Sequence, residues 1–193
     1  MPDRRLRRLR TTLGGDMADV RLPALEAFAA AATRLCTALE TPSRTDAWVR
    51  EVLAGVSLSY SLAHGLAEEC EGDDLDDFNL FRVSDEAWKA MYNALCSVLS
   101  EHAFYWAYFD PSEPKDSDDE VVVGDLADDL ADIYRDLKPG VRAWESDRVR
   151  FATNILLQWR EPSFSSHWGV HAVSAMRALH PLVYLRGLGD VDE

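Results

Sequence analysis

Cysteine is scarce and scattered: Cys36, Cys70 and Cys96 are the three in 193 residues, with no C-x-x-C pair among them. That number and spacing exclude a disulfide framework and a cysteine-based zinc site, and a reducing, cytoplasmic setting is expected. Long apolar runs are also missing. The best, Val52 to Ala67, is interrupted by Ser57, Ser59, Ser61 and His64, so no membrane span is expected. Positive charge is in deficit, with 20 Lys and Arg against 34 Asp and Glu for a net charge of −14. Such a surface repels phosphate backbones, which argues against direct nucleic-acid binding by the folded body. There is no glycine-rich phosphate loop, no G-x-S-x-G elbow and no catalytic-cysteine signature. A calcium loop from Asp116 fails too, because Val121 stands where its glycine belongs and Ala127 where its bidentate glutamate belongs.

What is present suits one soluble globular domain: 47% hydrophobic and 28% charged residues, and length enough for a sizeable core. Residues 1–16 read as a basic tail, expected to be disordered, with Arg4, Arg5, Arg7, Arg8 and Arg10 against Asp3 and a Gly14-Gly15 end. Leu6, Leu9 and Leu13 share a helical face, so a basic amphipathic arm is the other reading of that stretch. Residues 17–193 read as a single helical domain.

Apolar residues recur at three and four nearly throughout. Leu25, Phe28, Ala29, Ala32, Leu35, Cys36 and Leu39 mark a first helix, with Pro23 in its first turn and Thr41-Pro42-Ser43 at its end. Thr45 or Asp46 caps a second, whose stripe is Trp48, Val52, Val56, Ala63 and Leu66. A third follows Ser84 and carries Trp88, Met91, Tyr92, Leu95, Leu99 and His102. The run "AFYWAYF" then places five aromatics between Phe104 and Phe109, and so much aromatic surface is expected in a core. Val121, Val122 and Val123 make a short strand or a buried lead-in. A fourth helix runs from about Asp125 to Lys138, where Pro139 stops or kinks it. A fifth carries Phe151, Ile155 and Trp159, and a sixth runs from about Ser165 to His180. The predicted fold is therefore an all-α bundle of about six helices with at most one short strand or hairpin.

Two motifs invite chemistry. In "GDLADDLADIYRDL" the carboxylates of Asp125, Asp128, Asp129, Asp132 and Asp136 recur at helical spacing. A helical wheel gathers Leu126, Leu130, Ile133 and Leu137 on one side, with Tyr134 at its edge, and the aspartates opposite. Charges this dense are rarely buried without partners, so a solvated acidic face is expected. The second motif is "SHWGVH". His171 falls within the apolar stripe of the sixth helix and His167 on its shoulder, so both imidazoles point toward the core or a crevice in it. Spacing of four suits two ligands of one ion, although Trp168 stands where H-E-x-x-H has its glutamate. A third ligand must come from another helix, and His102 and His64 are the candidates. The set His64, His167 and His171 resembles that of the DinB-like metal-dependent hydrolases. The ordinary alternative is a pair of hydrogen-bonded core histidines. Gly169 beside Trp168 suggests a close approach by another backbone or a ligand.

The segments "DLADDLADIYRDLKPG", "LLQWR" and "FSSHWGVHAVSAMRALHPL" together resemble an uncharacterised bacterial family, domain of unknown function 5063. The resemblance spans Trp88 through Leu182 and implies a helical, bacterial, cytoplasmic protein; it assigns no residue a role. Two functions remain in view. The first is a non-enzymatic accessory domain whose partner is another protein. The alternative is a metal-dependent hydrolase-like bundle with one transition metal ion on His167 and His171. The candidate polar site is His167, Trp168, His171, His102 and Tyr134.

Overall fold

A computed structural model describes residues 15–63, 66, 81–108, 121–146 and 164–189, with side chains from Pro23 onward. Five α-helices and one hairpin make up these residues: α1 (Gly15–Glu40), α2 (Asp46–Ala63), α3 (Asp85–Leu99), β1 (Phe104–Tyr108), β2 (Val121–Asp125), α4 (Leu126–Glu145) and α5 (Gly169–Pro181). A 3₁₀ turn, Ser100–Ala103, leads into β1, and π-helical turns at Phe164–Trp168 and Leu182–Arg186 bracket α5. The expected helix through Phe151, Ile155 and Trp159 lies outside the described residues, as do residues 1–14 and His64. No helix among the described residues is long and apolar enough to cross a membrane.

Caps start the helices where short polar residues meet apolar stripes. Thr45 Oγ1 accepts the Trp48 N–H at 3.2 Å and Ser84 Oγ accepts the Ala87 N–H at 3.2 Å. Asp125 Oδ1 accepts the N–H groups of Ala127 and Asp128 at 3.0 and 3.1 Å, satisfying two donors that the first turn of α4 would otherwise leave open. Prolines are less decisive than the sequence suggests. Pro23 lies inside α1, Pro139 inside α4 and Pro181 at the end of α5. Helix α4 runs past Pro139 because Val141 and Ala143 beyond it are buried, and packing outweighs one missing backbone hydrogen bond.

α4 is the central element, packed against α1, α3 and α5. Leu126, Leu130, Ile133 and Leu137 are all fully buried. Side chains of this kind each contribute about 1.5–3 kcal/mol when removed from water. The opposite side of α4 is covered as well, which corrects the solvated acidic face expected from the wheel: Asp129 and Asp132 are 6% and 7% exposed. The aromatic run is a second correction. It pairs as β1 with β2 in antiparallel register, Tyr105 opposite Gly124 and Trp106 opposite Val123, and its outer face is open. Phe104, Trp106, Val121 and Val123 are exposed there, because strand alternation sends every second residue away from the bundle.

Candidate metal centre

Asp125, Asp129, Asp132 and Asp136 repeat at four, three and four along α4, so they share one face of that helix. α5 and the π-turn that leads into it bring the histidines to this face, His171 from the helix and His167 from the turn. Trp168 is fully buried, its ring 6.2 Å from that of Phe28 on α1 and 4.7 Å from that of Phe164, and this anchor fixes the start of α5. Gly169 follows because the π-turn folds Phe164 back: a Cβ at Gly169 would collide with the Phe164 carbonyl oxygen. The close approach implied by this glycine is thus the chain's own backbone.

Each imidazole then meets two carboxylates. His171 Nδ1 lies 2.7 Å from Asp129 Oδ1 and His167 Nδ1 lies 2.8 Å from Asp136 Oδ2. An ionised carboxylate only accepts, so both Nδ1 atoms carry the proton in these contacts. In the neutral ring that leaves a lone pair on each Nε2. Those two atoms converge on one oxygen, Asp132 Oδ2, at 3.4 Å from His171 and 3.5 Å from His167. The other oxygen of Asp132 is occupied: Trp88 Nε1 donates to Oδ1 at 2.7 Å and Arg135 at 2.9 Å. Asp129 is held likewise, its Oδ2 accepting from the Tyr105 hydroxyl at 2.6 Å.

Hydrogen bonding to Asp129 raises the pKa of His171 above its ordinary value, burial opposes this, and the charges of Asp129, Asp132 and Asp128 reinforce it. Burial, then repulsion from Asp132, raises the pKa of Asp128. Negative charge is therefore crowded around Asp128 on this helix.

The ligand atoms of His167, His171 and Asp132 all lie within 4.8 Å of one another. Two bonds of about 2.0–2.1 Å at a tetrahedral angle put ligand atoms about 3.3 Å apart, close to the two Nε2–Oδ2 separations. Both histidines also have the supporting carboxylate that metal-bound imidazoles commonly have on the second ring nitrogen.

The other candidates stand elsewhere. His102 sits in the 3₁₀ turn after α3, its Nε2 3.7 Å from Glu101 Oε1 and buried without a hydrogen-bond partner. Tyr134 turns to α1, where its hydroxyl donates to Glu40 Oε1 at 2.8 Å beside Lys138. Trp168 packs rather than binds. The residues that the sequence did not nominate are Asp129, Asp132 and Asp136 as partners of the histidines, with Trp88, Arg135 and Tyr105 behind them. Their spacing held a signal, since the aspartates repeat as regularly as the apolar stripe opposite.

Fold and cluster together define a class: a helical bundle whose central helix presents carboxylates to a histidine pair on its neighbour. The chain belongs to the family described as Domain of unknown function (DUF5063), which matches residues 22–185. It is similar to the crystal structure of protein BF1032 from Bacteroides fragilis at 26% identity and a TM-score of 0.67, over 84% of this chain and 93% of that one. No curated protein matches it.

Proposed function

We propose that the protein is a metal-dependent enzyme of the hydrolase type, in which His167 Nε2, His171 Nε2 and Asp132 Oδ2 hold one divalent transition metal ion. One observation carries this reading: the two Nε2 atoms face the same carboxylate oxygen while both Nδ1 atoms are already engaged by Asp129 and Asp136. With neutral imidazoles, lone pairs would face lone pairs across those gaps, and a cation between them turns repulsion into coordination. Charge supports it too. Asp129 and Asp132 are buried beside the two imidazoles, and a bound cation offsets the cost of keeping such carboxylates ionised away from water. Two imidazoles and one carboxylate leave coordination positions for water and substrate, and that donor set suits zinc. In such a site the metal supplies Lewis acidity to a water or a carbonyl group.

The test is elemental analysis of untagged protein in parallel with His171→Ala. About one zinc, iron or manganese per chain in the parent, lost in the variant, is expected. No metal in either, even after incubation with added zinc, overturns the reading.

A second reading is favoured by a different observation. Phe104, Trp106 and Val123 expose an apolar hairpin face on a chain of net charge −14, which suits a non-enzymatic accessory domain that docks another protein in the cytoplasm. Loss of partner capture in Trp106→Ser, with metal content unchanged, would support that role; a Trp106→Ser variant that retains every partner argues against it.

A further inference from the structure

We infer that the β1–β2 hairpin tunes this metal centre through Tyr105, a positioning residue whose hydroxyl fixes Asp129 and, through Asp129, the ring of His171. The inference rests on the metal-centre reading of His167, His171 and Asp132.

The geometry runs through three elements. On β1, the Tyr105 hydroxyl donates to Asp129 Oδ2 at 2.6 Å. On α4, the second oxygen of Asp129 receives His171 Nδ1 at 2.7 Å, leaving Nε2 for the centre. Both oxygens of a 6% exposed carboxylate are thus committed, one to each partner, and its rotamer is fixed by the pair. Without the tyrosine donor, Asp129 keeps one bond and gains a torsional freedom that the imidazole follows. The partner carboxylates of metal-bound histidines set ring orientation and basicity, and their loss commonly weakens metal binding 10–100-fold.

Gly124 is the second half of the device. It sits directly opposite Tyr105 in the ladder, and a Cβ there would fall on the Tyr105 ring. The glycine lets the ring lie across β2, and that posture brings the hydroxyl down to Asp129. Its neighbours Val121, Val122 and Val123 show that a β-branched residue is otherwise at home in this strand. A methyl group at Gly124 displaces the end of a side chain rather than backbone, so the fold tolerates it while the hydroxyl leaves Asp129. Two variants therefore break the same contact by different routes, one by removing the oxygen and one by moving the ring.

The experiment measures zinc affinity by competition with a chelating dye, and the nitrogen-15 shifts of His171 in metal-free protein at fixed pH, for the parent, Tyr105→Phe, Gly124→Ala and Val121→Thr. Tyr105→Phe and Gly124→Ala are each expected to weaken zinc binding about tenfold or more. Both are also expected to move His171 away from the Nδ1–H tautomer. Val121→Thr, on the outer face of the same hairpin, is expected to match the parent in both measurements. A merely structural tyrosine would change melting but leave affinity and tautomer in place. Parent-like zinc binding and parent-like His171 shifts in both Tyr105→Phe and Gly124→Ala overturn the inference. If the parent binds no zinc, the metal-centre reading fails, and the His171 tautomer still decides whether Tyr105 positions the ring.

Discussion

Replacing Asp132 by asparagine separates a centre built for a cation from a self-sufficient ion-pair network. Asp132 is 7% exposed and accepts from Trp88 and Arg135 through Oδ1. Asparagine is isosteric and keeps an oxygen for those two donors. Its amide nitrogen then faces the two Nε2 lone pairs and supplies hydrogens where the carboxylate oxygen supplied none. At alkaline pH, above the raised pKa of His171, the metal-free variant is therefore expected within about 1 kcal/mol of the parent. If Asp132 instead anchors two imidazolium ions, its loss resembles breaking a buried ion pair, up to about 3–5 kcal/mol. The partial exposure of His167 and His171 lowers that figure to about 2–3 kcal/mol. For a chain of this size 1 kcal/mol moves the melting temperature by about 2–4 °C, so the two cases differ by several degrees. Zinc gives the second axis. At one hundred times its dissociation constant a ligand stabilises the folded state by about 2.7 kcal/mol, so the parent melting point rises by about 5–10 °C. Asp132→Asn is expected to show no such rise, since asparagine binds transition metals weakly. Differential scanning calorimetry with and without zinc reads both. A variant that melts more than about 6 °C below the metal-free parent, or that keeps the full zinc-dependent rise, refutes this reasoning.

Three further outcomes follow from the same contacts. Gly169→Ala drives a methyl group onto the Phe164 carbonyl and is expected to cost about 1–3 kcal/mol, with altered His167 and His171 ring signals; parent-like melting and spectra would show that the π-turn has slack. Asp128 has its pKa raised by burial and by Asp132, so its contribution is fully present below the unfolded-state value and is lost as pH rises through the folded one. Asp128→Asn is accordingly expected to raise the melting temperature of metal-free protein at neutral pH and to leave it unchanged near pH 3; no neutral-pH gain would count against crowding on α4. His171 also has a raised pKa, from its bond to Asp129, so its stabilisation of metal-free protein is complete below about pH 6.5 and declines as pH rises through the folded value. In the proposed metal centre zinc would compete for the same imidazole, so affinity measured across that range is expected to climb with pH; a flat profile would remove His171 from the ligand set.

Much of this protein was legible in its residues. Ser84 and Thr45 precede apolar stripes and do cap helices, and the mostly all-α architecture follows from a period near 3.6 that dominates the chain. His167 and His171 announced themselves by their spacing on one helix face, a property local to a few turns. The family motif pointed to the same two segments that the fold brings into contact.

Tertiary packing decided the rest. A wheel divides α4 into an apolar and an acidic side but does not say what covers the second. α5 covers it, and His171, with Trp88, Arg135 and Tyr105, provides the donors without which Asp129 and Asp132 would stay in water. The carboxylate facing both Nε2 atoms is 35 residues from His167 and on another helix, so no local spacing could single it out. The aromatic run went the other way: its composition suggested a core, and only the pairing of β1 with β2 turned Tyr105 inward and Trp106 outward. Sequence fixes which residues share a face of one element, because that depends on backbone period alone. Which two faces meet depends on how all the elements pack, and the chemistry of the cluster belongs to that meeting.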